Sequence, residues 1–340
     1  TGGGAVHLAS TGVDAWQEAG GCSLVLYLFW SYCEVKVPNA FTAAATPESK
    51  RALELVTKNL RAVLSLLSQL ISSSTDFKEQ FIQIHGFHVL GYCLSTLSEA
   101  MKRRVIDDSM IDLCFGLVHA LGPDASKGDG ISAALQGLLF DFRIWGSCEL
   151  SALKHFLQQL TTEVLELGQL MYKSVGVQRI LDIFRLHIAR KLPTSSTGPS
   201  AADRKIAAES AEEHGIECAD CVHRLLIISM EAAMTFAAKV RANLMPEAEA
   251  LLKCLEETSS VVIAERILRI IGNLRIQAPV SLKQAFASVR YNDTAIIPLL
   301  TRKGFSLEVR SSALCNLLWA LSEDVKTLPA QIIPLRKALN

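Results

Sequence analysis

An all-α fold of stacked helices is what this sequence predicts, and three observations carry that prediction. Apolar residues recur at steps of three and four over long stretches, as at Leu53, Val56, Leu60, Val63, Leu64, Leu67, Leu70 and Ile71. No stretch sustains the period-two alternation of a strand, and no Asn-Gly or Asp-Gly joins two such runs; Asp129-Gly130 leads from a loop into a helix instead. Glycines open strongly apolar helices at Gly21-Cys22-Ser23-Leu24, Gly86-Phe87-His88-Val89 and Gly176-Val177-Gln178-Arg179. Each follows the end of a preceding helix, and each glycine is expected to take the left-handed turn between the two.

Composition fits this picture. The 340 residues are 50% hydrophobic and 20% charged, with 34 Lys+Arg against 34 Asp+Glu, so the formal net charge is zero. Neutrality argues against a general nucleic-acid binder, which would carry a basic face. The mean hydropathy of +0.28 is high. The longest apolar run, Cys22 to Trp30, nevertheless falls far short of the roughly 20 residues that cross a bilayer. There are nine cysteines, an odd number, and most sit within apolar helical patterns, where free Cys acts as a small buried hydrophobe and a reducing compartment is favoured.

Along the chain, residues 1–15 carry neither a charged region nor an apolar stretch, and are expected to be a flexible tail without a signal sequence. The chain reads as a piece of a longer cytosolic protein. Thr46-Pro47-Glu48-Ser49 offers an N-cap with Pro in the first helical position, opening a helix that reaches about Ile71. Gly122-Pro123-Asp124 stops the helix that ends at Leu121. Leu150, Leu153, Leu157, Leu160, Val164, Leu167 and Met171 mark one further helix, and Val309, Ala313, Leu314, Leu317, Leu318 and Leu321 another. Between them, Pro193 to Ser200 is of low complexity, and about 192–214 is expected as a mobile polar insertion within one solenoid spanning 16–340.

Recurrent helical hairpins opened by glycine build armadillo and HEAT arrays, because one hairpin cannot bury its apolar face alone. Uneven intervals then imply an armadillo/HEAT-like right-handed α-solenoid with irregular repeats. Three stretches are more specific. One is Gly86-Phe87-His88-Val89-Leu90-Gly91-Tyr92, preceded by Phe81-Ile82-Gln83-Ile84-His85. Another is Leu138-Leu139-Phe140-Asp141-Phe142-Arg143-Ile144-Trp145, and the third is Val177-Gln178-Arg179-Ile180-Leu181-Asp182-Ile183-Phe184-Arg185. In this order and spacing they resemble the armadillo-like region of BEACH-domain proteins of the neurobeachin type. The likeness runs residue by residue over about Phe81 to Ile188 and is architectural elsewhere. It implies a large cytosolic scaffold, peripheral to membranes, that acts in vesicle traffic, lysosome-related organelles or autophagy. The PH-like, BEACH and WD-repeat modules that usually follow are not in this stretch.

Several clusters hold residue types that could carry chemistry. His214, Cys218 and Cys221 stand at i, i+4 and i+7, one helical face with zinc-ligand side chains. A structural zinc needs a fourth ligand, and His223 projects from the opposite face, so the preferred reading is that Cys218, Cys221, Val222, Leu225 and Leu226 begin a core stripe. No nucleophile elbow, phosphate loop or dinucleotide turn is present; Gly122 to Gly128 lacks the Gly-Lys-Ser/Thr ending. Asp141, Arg143 and Trp145 are read as a strut rather than a site, and His85 and His88 likewise. Lys102-Arg103-Arg104 is read as a solvated helix end. The expected function is therefore a non-catalytic scaffold that binds protein partners, without cofactor, metal or nucleic acid. An anionic-lipid module stands as the alternative, and a thiol-dependent enzyme as a remote one.

Overall fold

Backbone chemistry places the helix ends where the sequence puts its caps. The computed structural model describes residues 15–35, 46–122, 129–188, 202–240, 244–258, 260–277, 286, 292–301 and 305–323. Among them every regular element is helical and none is a strand, so the chain is an all-α, repeat-packed helical solenoid of the armadillo/HEAT type. It clusters into two compact units that divide between Phe156 and Leu157.

The first unit begins with α1 (Gly21–Cys33) and α2 (Pro47–Ser73). At the start of α2, Thr46 Oγ1 accepts the Ser49 N–H at 3.1 Å while Pro47 occupies the first turn, which needs no donor there. One residue, Ser74, separates α2 from α3 (Thr75–Gln83), and its hydroxyl accepts the Phe77 N–H at 3.2 Å. Then follow α4 (Gly86–Thr96), α5 (Glu99–Val105), α6 (Asp108–His119) and α7 (Asp129–Ala134). α7 runs into a π-turn over Leu135–Leu139, and the short α8 (Phe142–Trp145) comes next. α2 packs on α1 and α6, while α4 packs on α1, α3 and the π-turn.

The glycine turns are only partly as expected. Gly21 (φ 60°) and Gly176 (φ 75°) take the left-handed conformation, but before α4 it is His85 (φ 55°) that does so. Gly86 serves a different need. A Cβ there would lie 2.1 Å from the Phe81 ring, which packs edge-on against Phe87 at 4.9 Å between centroids. A side-chain-free position is needed for close approach, and the turn itself falls to a His, one of the residue types that tolerate it best.

The closest approach between elements lies where α4 crosses the π-turn. A Cβ on Gly91 would sit 1.8 Å from the Gly137 carbonyl oxygen, and one on Gly137 would sit 2.8 Å from the His88 ring. Two backbones touch here without side chains between them. Around that crossing Phe77, Phe81, Phe87, Leu90, Leu94, Leu138 and Ile144 are fully buried.

α9 (Leu150–Glu163) carries the boundary between the units. The pattern from Leu150 to Met171 predicts one helix, but it breaks after Glu163 and resumes as α10 (Gly168–Ser174). At the break Leu165 is exposed, and a Cβ on Gly168 would meet the Ile228 side chain at 3.3 Å. The second unit continues with α11 (Gly176–Ile183), a π-turn over Phe184–Ile188, α12 (Ala202–Val240), α13 (Met245–Glu257) and α14 (Val261–Gln277). It ends with a π-turn over Asn292–Ile296, α15 (Ile297–Thr301) and α16 (Leu307–Glu323). α12 packs on α10, α11 and α14, and α16 packs on α14 and α15.

Of the segment about 192–214, residues 192–201 lie outside the described residues, while Ala202 onward is already helical: Ala, Arg, Lys and Glu dominate there and favour helix. The expected tail, too, lies outside the described residues except for Ala15. Glu213–Lys239 is long and apolar enough to cross a membrane by length and composition, although no uninterrupted apolar run reveals it. It packs as a core helix here, with Cys218, Ala219, Val222, Leu225 and Leu226 fully buried and Asp220 paired with Arg266 at 2.7 Å. On α16 the buried face is Val309, Ala313 and Leu317, whereas Leu307, Leu314 and Leu318 are exposed among the described residues.

Two alanine substitutions test the backbone crossing. Gly91→Ala forces the new methyl into the Gly137 carbonyl and is expected to cost about 3 kcal/mol. Gly116→Ala, in α6 with nothing within 4 Å of its Cβ position, is expected to stabilise by about 0.5–1 kcal/mol. Urea unfolding of the two variants beside the parent chain checks both signs.

Candidate functional site

The residues singled out by sequence fall into two structural locks, one in each unit. In the first, the π-turn brings the Leu138 carbonyl beneath the indole of Trp145, whose Nε1–H donates to it at 3.0 Å. Trp145 is fully buried and stacks on Phe156 with centroids 4.2 Å apart and planes 14° apart. Phe142 meets the same Phe156 edge-on at 6.0 Å. Asp141 caps α8 by accepting the Arg143 N–H at 3.2 Å, and its carboxylate also takes Arg143 Nε and Nη2 at 2.8 and 2.6 Å. This forked pairing raises the Arg143 pKa further, mainly through the hydrogen bonds. Through these contacts Asp141, Arg143 and Trp145 tie α8 to the π-turn and to α9.

Gly86, Phe87, Leu90 and Gly91 are buried along α4, and Gly91 makes the contact with Gly137 described above. Tyr92 is different, since its side chain is exposed. The basic run is also different from its sequence reading. Arg103 and Arg104 are exposed, but Lys102 is buried and its Nζ donates to the Arg143 carbonyl at 2.8 Å. Burial lowers its pKa, opposed by the fields of nearby acidic groups that include Glu99 and Asp141. A lysine stem packs well in an apolar wall, and the end of α8 offers its ammonium a carbonyl.

In the second unit Val177 and Leu181 face the core. Gln178 Nε2 donates to Asp182 Oδ1 at 3.0 Å, and Arg185 Nη2 reaches the same oxygen at 3.4 Å. Arg185 also pairs with Glu257 at the end of α13, so the polar half of this motif joins α11 and its π-turn to α13. Nearby, the Tyr172 hydroxyl donates to Glu247 Oε1 at 2.6 Å, and burial with that contact pushes its pKa up to about 12.

Neither the zinc nor the thiol reading gains a site. Cys218 and Cys221 are buried in the α12 stripe and His214 is half-buried. Among the described residues no group of three His, Cys, Asp or Glu could hold a metal ion. Burial pushes the thiols of Cys22, Cys114 and Cys254 up to about 12 and that of Cys93 to about 11, which opposes nucleophilic use. His223, half-buried with its Nε2 buried and unpartnered among the described residues, is lowered to about 4 by desolvation and then by Arg266.

Two concavities were not legible as sites in the sequence. One, of about 300 Å³, is lined in the second unit by Ile227, Met230 and Met234 of α12 and Ile270 and Leu274 of α14, with Glu231 and Asn273 beside them. The other lies in the first unit against α2. The first draws its lining from two separate helices, so only the methionines at i and i+4 on α12 hint at it; the second is a stripe of α2 joined by one residue of α5.

The family model described as the Neurobeachin/BDCP, DUF4704 alpha solenoid region matches residues 37–322. This is wider than the stretch of residue-level likeness and includes most of both units. No solved structure matches the chain.

Replacing Trp145 by Phe removes the indole donor from the Leu138 carbonyl and leaves space in a full core; a loss of about 2–3 kcal/mol in urea unfolding is expected. His223 predicts a pH dependence. The unfolded imidazole protonates near pH 6.5, the folded one only near 4, so the unfolded chain binds more protons between these values. Stability is therefore complete above about pH 6.5 and falls as the pH drops toward 4. The melting temperature measured from pH 7 to 5 should decline in the parent chain and decline less in His223→Gln.

Proposed function

The chain belongs to the Neurobeachin/BDCP alpha-solenoid family, and from this we propose that it is a non-catalytic scaffold within a larger BEACH-type protein, holding protein partners on its helical surface. The observation that carries the proposal is the use of the motif residues: nearly all are spent on joining helices, and none converges on a reaction centre. A rigid repeat array offers extended surface for peptides and helices. The groove of Ile227, Met234 and Leu274 supports this reading, because adaptable Met-lined surfaces suit apolar partner side chains. A cytoplasmic place at vesicle, lysosomal or autophagic membranes is the setting the family resemblance suggests for the whole protein.

The test uses the full-length parent. Proximity labelling in cells is compared between the intact protein, a deletion of residues 37–322, and the groove variant Met234→Glu. A set of neighbours lost with the deletion, part of it lost also with Met234→Glu, is the expected result. A neighbour list unchanged by the deletion would reduce the solenoid to a spacer and refute the scaffold.

A further inference from the structure

The cleft against α2 has a chemistry that neither the motifs nor the family match assigns. Lys50, Glu54, Thr57 and Arg61 lie along one stripe of α2 at steps of three and four, Lys58 stands four residues beyond Glu54, and Arg104 of α5 joins them. They line a concavity of about 670 Å³, within the usual range for a small-molecule site. Four of these side chains are cationic and one is acidic, on a chain whose net charge is zero. The positive charge is thus gathered, not scattered.

The cations are also under-used by the protein. Among the described residues Lys50, Lys58 and Arg104 make no ion pair. Arg61 pairs through Nη2 with Asp107, a carboxylate that also caps α6 by accepting the Met110 N–H at 3.1 Å. Its Nε is buried with no hydrogen-bond partner among the described residues. From Lys50 to Arg61 the stripe extends about 16 Å along the helix, too long for one small anion and suited to several anionic groups held on one compact frame.

We propose that this cleft binds a compact polyphosphate, a small ring or chain bearing two or more phosphate groups, through Lys50, Lys58, Arg61 and Arg104. Guanidinium forks match phosphate oxygens in pairs, and lysines add point charge at either side. Thr57, whose hydroxyl donates to the Leu53 carbonyl at 2.9 Å, leaves the apolar Leu53 as the neighbour of the carbon frame. The same headgroup chemistry occurs free in solution and on the surface of a membrane. The inference stands independently of the scaffold reading.

The experiment uses the 340-residue chain with two probes: soluble inositol 1,4,5-trisphosphate by calorimetry, and phosphatidylcholine vesicles with a minor share of phosphatidylinositol 4,5-bisphosphate by co-sedimentation. The variant is Lys58→Glu with Arg104→Glu, both exposed, and the control is Lys239→Glu, exposed on α12. Saturable trisphosphate binding is expected, at least tenfold weaker in the double variant, unchanged in the control and weakened by salt. If the vesicles also bind and the trisphosphate competes, the site takes a lipid-borne headgroup; if only the trisphosphate binds, it takes a soluble one. The proposal is overturned if neither probe binds, if the double variant binds as tightly as the parent while melting at the same temperature, or if phosphatidylserine vesicles bind equally well.

Discussion

The first unit depends on a contact between two backbones. Where α4 crosses the π-turn, Gly91 and Gly137 leave no room for even a methyl group. Phe81, Phe87, Leu90, Leu138 and Ile144 are all fully buried beside this approach. A π-turn shifts the helical hydrogen bonds by one residue, here with Phe140 N–H donating to the Leu135 carbonyl at 2.9 Å. The Leu138 carbonyl accepts both the Asp141 N–H at 3.3 Å and the Trp145 indole at 3.0 Å, and the same indole stacks on Phe156. One close approach, one irregular turn and one indole therefore act together.

The polar residues of the motifs serve the same end. Asp141 holds the start of α8, Lys102 closes its other end, and Arg185 with Asp182 ties α11 to α13. Short helices of four to eight residues have little stability of their own, so their ends must be satisfied by neighbours. Charged residues inside such an array are joints. That is why a cluster with acid, base and aromatic ring close in sequence is spent on contacts between helices here. The basic cleft on α2 is the contrary case, since its cations are left with few protein partners.

Much of this was open to reading. The step of three and four residues gives α2 almost to its ends, because Thr46 caps its start by a local hydrogen bond and Pro47 fits the first turn. The stripe of Cys218, Val222, Leu225 and Leu226 was legible for the same reason. Other features were not. One helix was expected through Leu165 and Gly168, but periodicity records which residues are apolar and says nothing of a turn inserted between them. Lys102 was expected in solvent, since its carbonyl partner, Arg143, lies 41 residues away. Leu314 and Leu318 share the apolar rhythm of Val309 and Leu317, yet only the latter pair is covered by described residues.

The division follows the range of the forces involved. Helical class, cap positions and the motif residues that build joints were determined by the sequence itself, since they depend on residues within a turn or two of each other. Which glycine supplies a turn and which supplies a contact, which lysine is buried, and which cations face one cleft were decided only by the tertiary structure. Those outcomes depend on a neighbour brought close by packing, and the hydrophobic effect that brings it is proportional to area and blind to order along the chain.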